Sequence, residues 1–264
     1  RWSLVFGRYR NGVPFARQEL YIELDAAKGR LLELSCRNGL EAPSNNKVRI
    51  DKQRAVTNAR NYALNRTELE DDLPIVALRI VHPNFEESLD AFEKPAPPSK
   101  ETTLAWIIQF PIKTADGLKQ WYEVAVSSAT GAIVNSQRSV GAVDLANSEF
   151  LPCLKMMQEL SNATEVEFTP IRNSVTEAPT KKFAPEELAR DYFGALAGMR
   201  IVVEPVDKNK MISDTKWSVK INLGASGTRV FTYDTSSFML TDNNGHYLAT
   251  GSTFSRLFQK DKQP

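Results

Sequence analysis

Tyr21-Ile22-Glu23-Leu24-Asp25-Ala26-Ala27-Lys28-Gly29-Arg30-Leu31-Leu32 and Glu123-Val124-Ala125-Val126-Ser127-Ser128-Ala129-Thr130-Gly131-Ala132-Ile133-Val134 read as two copies of one pattern. With Gly29 set on Gly131, Ile22 meets Val124, Leu24 meets Val126, Ala27 meets Ala129 and Leu31 meets Ile133. Apolar residues alternate with polar or small ones on the approach to a short turn, the period-2 signature of a half-buried strand. The turn closes on glycine, which takes positive φ without steric cost. Asp25 is placed to accept from backbone amides two residues ahead. Each copy therefore predicts a β-hairpin. A tryptophan-bearing strand precedes both: Trp2 stands 27 positions before its glycine and Trp106 stands 25 before its own.

Between the copies, residues 51–65 predict a helix. Asp51 caps it and no Gly or Pro interrupts it. Val56, Ala59 and Ala63 make its apolar stripe, with Ala55 and Tyr62 alongside, while Lys52, Arg54, Arg60 and Arg66 lie more outward. A strand over 75–81, a loop rich in proline and charge over 86–103 (extended at Lys94-Pro95-Ala96-Pro97-Pro98) and a strand over 104–112 follow. The second unit thus reads helix, strand, loop, strand, hairpin. The first opens on its tryptophan strand. Because the chain begins with Arg1 and runs straight into Trp2-Ser3-Leu4-Val5-Phe6, the expectation is that trimming removed its leading helix.

A third region runs from about residue 144 to the end. It predicts a helix over 150–160, a strand over 164–169 and an exposed loop over 173–182. A second helix opens at Ala184-Pro185-Glu186-Glu187, with proline early, acids in the first turn and Leu188, Tyr192, Phe193 and Leu196 as its stripe. Strands over 217–223, 229–233 and 238–241 are separated by turns, and Asn243-Asn244-Gly245 makes a later one. Residues 259–264 read as a polar, frayed tail.

The chain has 264 residues, 33 basic and 32 acidic, for a net charge of +1. That balance gives no electrostatic reason to expect a nucleic-acid partner. With 42% apolar and 25% charged residues it has the composition of an ordinary globular protein. The longest apolar run, about residues 104–110, is far short of the roughly 20 residues a membrane span needs. Cys36 and Cys153 form neither a disulfide framework nor a zinc spacing. One long-range bridge and two separate buried thiols remain the alternatives.

No catalytic, cofactor or metal motif appears. His82 and His246 are the only histidines, and both read as loop residues. No Gly-x-Ser-x-Gly elbow or phosphate loop is present. Glu68-Leu69-Glu70-Asp71-Asp72 has carboxylates that could bind calcium but lacks the glycine-bearing loop of an EF-hand, so it reads as a solvated connection. Asp242 and Asn243 read as turn chemistry. Trp2, Trp106, Trp121 and Trp217 fall on predicted strands as sheet core. Trp121 and Tyr122, were they exposed, would mark a partner surface. An open sheet edge would accept an extended peptide.

Residues 1–140 resemble the PepSY superfamily, especially the YcdB/YcdC-type repeated domain of Gram-positive bacteria. The resemblance rests on the turn Asn11-Gly12-Val13-Pro14, the hairpin signature Asp25-Ala26-Ala27-Lys28-Gly29, and Trp106 with Ser128-Ala129-Thr130-Gly131 in the second copy. The second copy departs from it, with Ser127 where the family carries aspartate and no Asn-Gly-Val-Pro. The matched residues are structural and carry no catalytic role.

The resemblance implies a secreted or cell-envelope protein, anchored by lipid through a removed N-terminus or free, that regulates a protease or another envelope protein. The expected fold is α+β: tandem small modules, each a helix packed on an antiparallel sheet, PepSY/cystatin-like. The units are 1–46, a trimmed repeat; 47–143, a second repeat; and 144–264, a C-terminal α+β module. The expected function is non-enzymatic binding of a protein partner, without cofactor. The alternatives are a small-ligand receptor with a cavity lined by Trp106, Trp217 or Phe231, and a hydrolase assembled between modules.

Overall fold

A computed structural model of the protein describes residues 2–11, 13–36, 41–43, 47–82, 101–112, 120–138, 150–171, 180–201, 216–250 and 254–258. Gly12, the proline-rich stretch 94–98, most of the loop expected over 173–182, the start of the third region and the tail 259–264 lie outside them.

Seven strands form the first sheet: β1 (Trp2–Arg10), β2 (Val13–Leu24), β3 (Leu31–Cys36), β4 (Ile75–Val81), β5 (Thr103–Ile112), β6 (Gln120–Ser127) and β7 (Ile133–Arg138). The strands β4 to β7 are neighbours in order and antiparallel. β2 is long enough to belong to two places. Its first residues carry Val13 and Phe15 into the core, where Phe15 pairs in parallel with Ile80. Its last residues lie between β1 and β3 in a ribbon that extends from that core. The second sheet runs β10 (Arg200–Ile201), β14 (Tyr247–Ala249), β13 (Met239–Thr241), β12 (Thr228–Asp234), β11 (Lys216–Asn222), β8 (Glu165–Ile171) and β9 (Lys181–Lys182).

A helical layer joins the sheets. In α1 (Lys52–Leu64) the Asp51 carboxylate accepts from the Arg54 amide at 2.8 Å, as an N-cap should. Its buried stripe is Ala55, Ala59 and Ala63. These small side chains let the helix sit close on β5 and β6. α2 (Phe150–Ser161) packs on β4 and reaches β10 and β14. The segment from Pro185 is helical in three pieces: α3 (Pro185–Glu187), a π-helical turn (Leu188–Tyr192) and α4 (Phe193–Leu196). α4 packs on β4 and β2. The π turn places both Tyr192 and Phe193 inward, and the Tyr192 hydroxyl donates to the Leu160 carbonyl at 3.0 Å. Phe193 meets Trp106 edge-on with ring centroids 5.5 Å apart. Most buried side chains, from Val13 to Leu257, form one cluster through both sheets, and Val81, Ala105, Ile107 and Ala125 form a second, smaller one.

This arrangement corrects the expected α+β string of modules. Among the described residues the chain is mostly strand, 46% against 24% helix, organised as two large sheets. The helices do not each roof their own sheet. α2 and α4 follow the second hairpin in sequence yet pack on β4, which precedes it. The β1–β3 ribbon has no helix on it among the described residues. Amphipathic periodicity announces that a helix has a buried face, but not which sheet buries it. β9 and β10 have two residues each and exist only through tertiary pairing. No helix among the described residues is long and apolar enough to cross a membrane.

Candidate functional site

The alignment of Gly29 with Gly131 carries into the backbone. Trp2 pairs with Leu24 and Leu24 with Leu31; Trp106 pairs with Val126 and Val126 with Ile133. Leu4–Ile22–Leu34 corresponds in the same way to Ile108–Val124–Ser136. The ladder is interrupted at matching points, between Glu23 and Leu24 and between Ala125 and Val126. Both turns close alike. The Gly29 amide donates to the Asp25 carbonyl at 2.8 Å and the Gly131 amide to the Ser127 carbonyl at 2.9 Å, with φ of 63° and 78°. The Asp25 carboxylate takes the Ala27 and Lys28 amides, and the Ser127 hydroxyl takes the Thr130 amide. Serine thus keeps part of the turn-bracing role of aspartate.

The two ribbons differ in what lies on them. On β5 and β6 the face holding Trp106, Ile108, Phe110, Val124 and Val126 is sealed under α1. The Trp106 indole N–H donates to the Ile50 carbonyl at 2.8 Å, just before the helix begins. The Asn58 amide donates to the Gly131 carbonyl at 3.0 Å. The outer edge of β5 is closed by β4, with Trp106 opposite Leu78. On the first ribbon the corresponding face lies open. Trp2 is 64% exposed, Phe6 53%, Leu34 59% and Leu31 56%, against 1% for Trp106. A Cβ on Gly29 would meet nothing within 4 Å, whereas one on Gly131 would meet Asn58 at 3.0 Å. β1 is also a terminal strand of its sheet, so its outer edge is unpaired among the described residues. A contiguous apolar face beside an open edge is the surface most prone to take another polypeptide.

A second feature lies where the sheets meet. A cleft of about 770 Å³ opens between the start of α1, the start of β8 and the 185–193 helical segment. Phe193, Leu188 and Val166 line it with Trp106, and Glu165, Lys220 and Asn222 also contribute. Lys52 stands in its wall. Its ammonium donates to the Ser161 and Ala163 carbonyls at 3.2 and 2.9 Å and sits 4.8 Å from the Phe193 ring centroid. It thereby caps the negative end of α2. Burial lowers its pKa from 10.5 to about 8. Expected among the outward cations of α1, Lys52 instead turns inward. Its long aliphatic stem makes that reversal possible and leaves no trace in the periodicity.

The other expected residues are placed as follows. Asn11 has φ of 50° in the β1–β2 turn, where Arg10 pairs with Val13, and Pro14 is buried. Tyr122 is buried at 7% exposure, and Trp121 packs edge-on against Phe150, so neither offers an open aromatic surface. His82, read as a loop residue, is buried at 2%. His246 is bonded within its own turn to Asp242 at 2.8 Å. Leu69, amid the acidic stretch, is buried and bridges to Ile112, and the Glu70 amide bonds the Pro111 carbonyl, which pins that connection to the sheet. Cys153 is a buried thiol whose Sγ lies 3.4 Å from the Tyr247 carbonyl. No group of three or more His, Cys, Asp or Glu that could hold a metal ion occurs among the described residues. Of the aromatics expected to line a ligand cavity, Trp106 lines the cleft.

The site that sequence reasoning missed is the β1–β3 face. Its signal was present in the alignment: Trp2, Leu4 and Phe6 repeat Trp106, Ile108 and Phe110, so they prepare the same surface for a cover. No family model, no curated protein and no solved structure matches this chain.

Proposed function

We propose that this protein is a non-enzymatic binding or regulatory protein that engages another polypeptide through the open β1–β3 ribbon. The single observation that supports this reading is the contrast between Trp2 and Trp106: one apolar pattern, sealed in one ribbon and open in the other. Burying that face on a partner gains about 25 cal/mol for each Å² of apolar surface removed from water. The open edge of β1 adds main-chain hydrogen bonds by strand addition. The chemistry is complementarity, without a covalent step. The PepSY-like turns at Asn11-Gly12-Val13-Pro14 and Asp25–Gly29 favour a partner in the cell envelope or outside the cell, a protease among the candidates.

A photo-crosslinking residue at Leu4, on the open face, tests this reading, with the same residue at the exposed position Arg54 on α1 as control. A protein captured from envelope extracts is identified, purified and titrated against the chain. The expected result is a complex that Leu4→Glu weakens at least about tenfold. A purified candidate that binds equally well to the Leu4→Glu variant would remove the ribbon from the account.

A small-ligand reading is favoured by one observation, the cleft beside Lys52. Its volume of about 770 Å³ lies within the range of small-molecule sites. Chemical shifts at Lys220, Asn222 and Thr228 on titration with a small-molecule library would support it, and silence there would leave the cleft as a joint between the sheets.

A further inference from the structure

Lys52 gives the cleft between the sheets a chemistry that complementarity alone does not use, and we infer that its amine captures uncharged apolar aldehydes there as a protonated imine. This rests on the reading of the cleft as a small-molecule site and names the class of ligand. Lys52 is half-buried at the start of α1 and lines the cleft, so its side chain is shielded from bulk water yet within reach of a ligand. Two carbonyls hold its nitrogen, that of Ser161 at 3.2 Å and that of Ala163 at 2.9 Å. An uncharged amine has two N–H groups and one lone pair. Here both N–H groups have acceptors, and the lone pair is left for an electrophile. Desolvated lysines are the ones that form Schiff bases with carbonyl compounds. Burial brings the pKa of Lys52 down to about 8, so at pH 8 about half of it is uncharged amine, against roughly one part in 300 for a lysine at 10.5.

The walls select the aldehyde. The Phe193 ring centroid lies 4.8 Å from the Lys52 nitrogen, and Leu188, Val166 and Trp106 continue the apolar lining. The π-helical turn builds part of that wall. The Phe193 amide donates to the Leu188 carbonyl five residues back, and both residues line the cleft. In an α-helix, with 3.6 residues per turn, a side chain five positions on points about 140° away. Such π turns occur often at functional sites. The rest of the lining has no surplus of positive charge to hold an anion. Lys182 is paired with Glu167 at 3.0 Å, and Lys220 shares the cleft with Glu165 and Asp51. An apolar body on the rings with a carbonyl at the amine is the ligand that these groups fit, and about 770 Å³ accommodates it.

The step balances without any further reagent than water. The nitrogen lone pair forms the C–N bond while the carbonyl π pair moves onto oxygen. One proton passes from nitrogen to that oxygen, giving a neutral carbinolamine. The hydroxyl takes a second proton from solvent and leaves as water, as the nitrogen lone pair closes the C=N bond. Amine, aldehyde and one proton become protonated imine and water. The product keeps one N–H for the nearer carbonyl, that of Ala163, and its positive charge stays at the negative end of α2.

The experiment treats the 264-residue chain at pH 8 with benzaldehyde and cyanoborohydride, which reduces an imine to a stable benzylamine, and maps the labelled lysines by mass spectrometry. The exposed Lys28 and Lys155 serve as internal references. Lys52 is expected to be labelled at least about tenfold faster than either, with a rate that saturates in benzaldehyde. Benzyl alcohol, which has the ring without the carbonyl, is expected to slow Lys52 and not the references. In Lys52→Arg the fast label disappears, while benzyl alcohol still shifts the Asn222 and Thr228 amides. Labelling of Lys52 no faster than that of Lys28 and Lys155 overturns the inference, and so does fast labelling that benzyl alcohol leaves unchanged. If benzyl alcohol moves the Asn222 and Thr228 amides of the unsubstituted chain and Lys52 stays unlabelled, the amine inference fails while the cleft stands as a small-molecule site. If neither occurs, both fall.

Discussion

Trp2 and Trp106 hold the same register position in two ribbons with the same strand pairing, one opposite Leu24 and the other opposite Val126, yet one is 64% exposed and the other 1%. The pairing of a strand is a local property of alternation and turn geometry. The burial of its face depends on what packs over it, and among the described residues only the second ribbon has a helix, α1, above it.

That difference sets the effect of substitution. Trp106→Ala empties a packed site against Phe193 and removes the hydrogen bond to Ile50, so it is expected to cost about 3–5 kcal/mol. Trp2→Ala alters an exposed position and is expected to stay within about 0.5 kcal/mol. Urea unfolding of the two variants checks this, and comparable losses would contradict the assignment of cover to one ribbon.

The glycines should divide in the same way. Both have positive φ, so alanine at either position incurs left-handed strain of about 1–2 kcal/mol. At Gly131 the new Cβ also meets the Asn58 amide at 3.0 Å and disturbs its bond to the turn carbonyl. Gly131→Ala is therefore expected to lower the unfolding midpoint more than Gly29→Ala. Equal shifts would mean that α1 does not press on its turn.

Lys52 gives a pH signature with a defined sign. Burial holds its pKa near 8 in the folded chain, below the 10.5 of a free lysine. Between those values the unfolded chain keeps a proton that the folded chain has released, so this group makes stability rise with pH across that window. Below about pH 7 both states are charged and the contribution is flat. Lys52→Met removes the dependence. The unfolding free energy of the wild-type chain relative to that variant is expected to increase from pH 7 to pH 10, and a constant difference would show that the ammonium is not desolvated at the end of α2.

The parts of the fold legible in the sequence are those fixed by short-range rules. The hairpins were readable because alternation around Gly29 and Gly131 determines both strand and turn, and α1 because Asp51 caps an alanine-rich stripe. The layer architecture was not readable, because α2 and α4 pack on β4 through contacts remote in sequence. The inward turn of Lys52 was hidden for the same reason: its carbonyl partners, at Ser161 and Ala163, belong to another part of the chain. The exposure of Trp2, Leu4 and Phe6 was hidden because an apolar alternating strand looks the same whether or not its cover is present.

Residue-resolved amide exchange of the 264-residue chain, compared between Trp2–Phe6 and Leu104–Phe110 at two protein concentrations, is the most direct measurement of the open ribbon. The β1 amides are expected to exchange at least about a hundredfold faster than those of β5, independently of concentration. Equal protection of the two segments would contradict it.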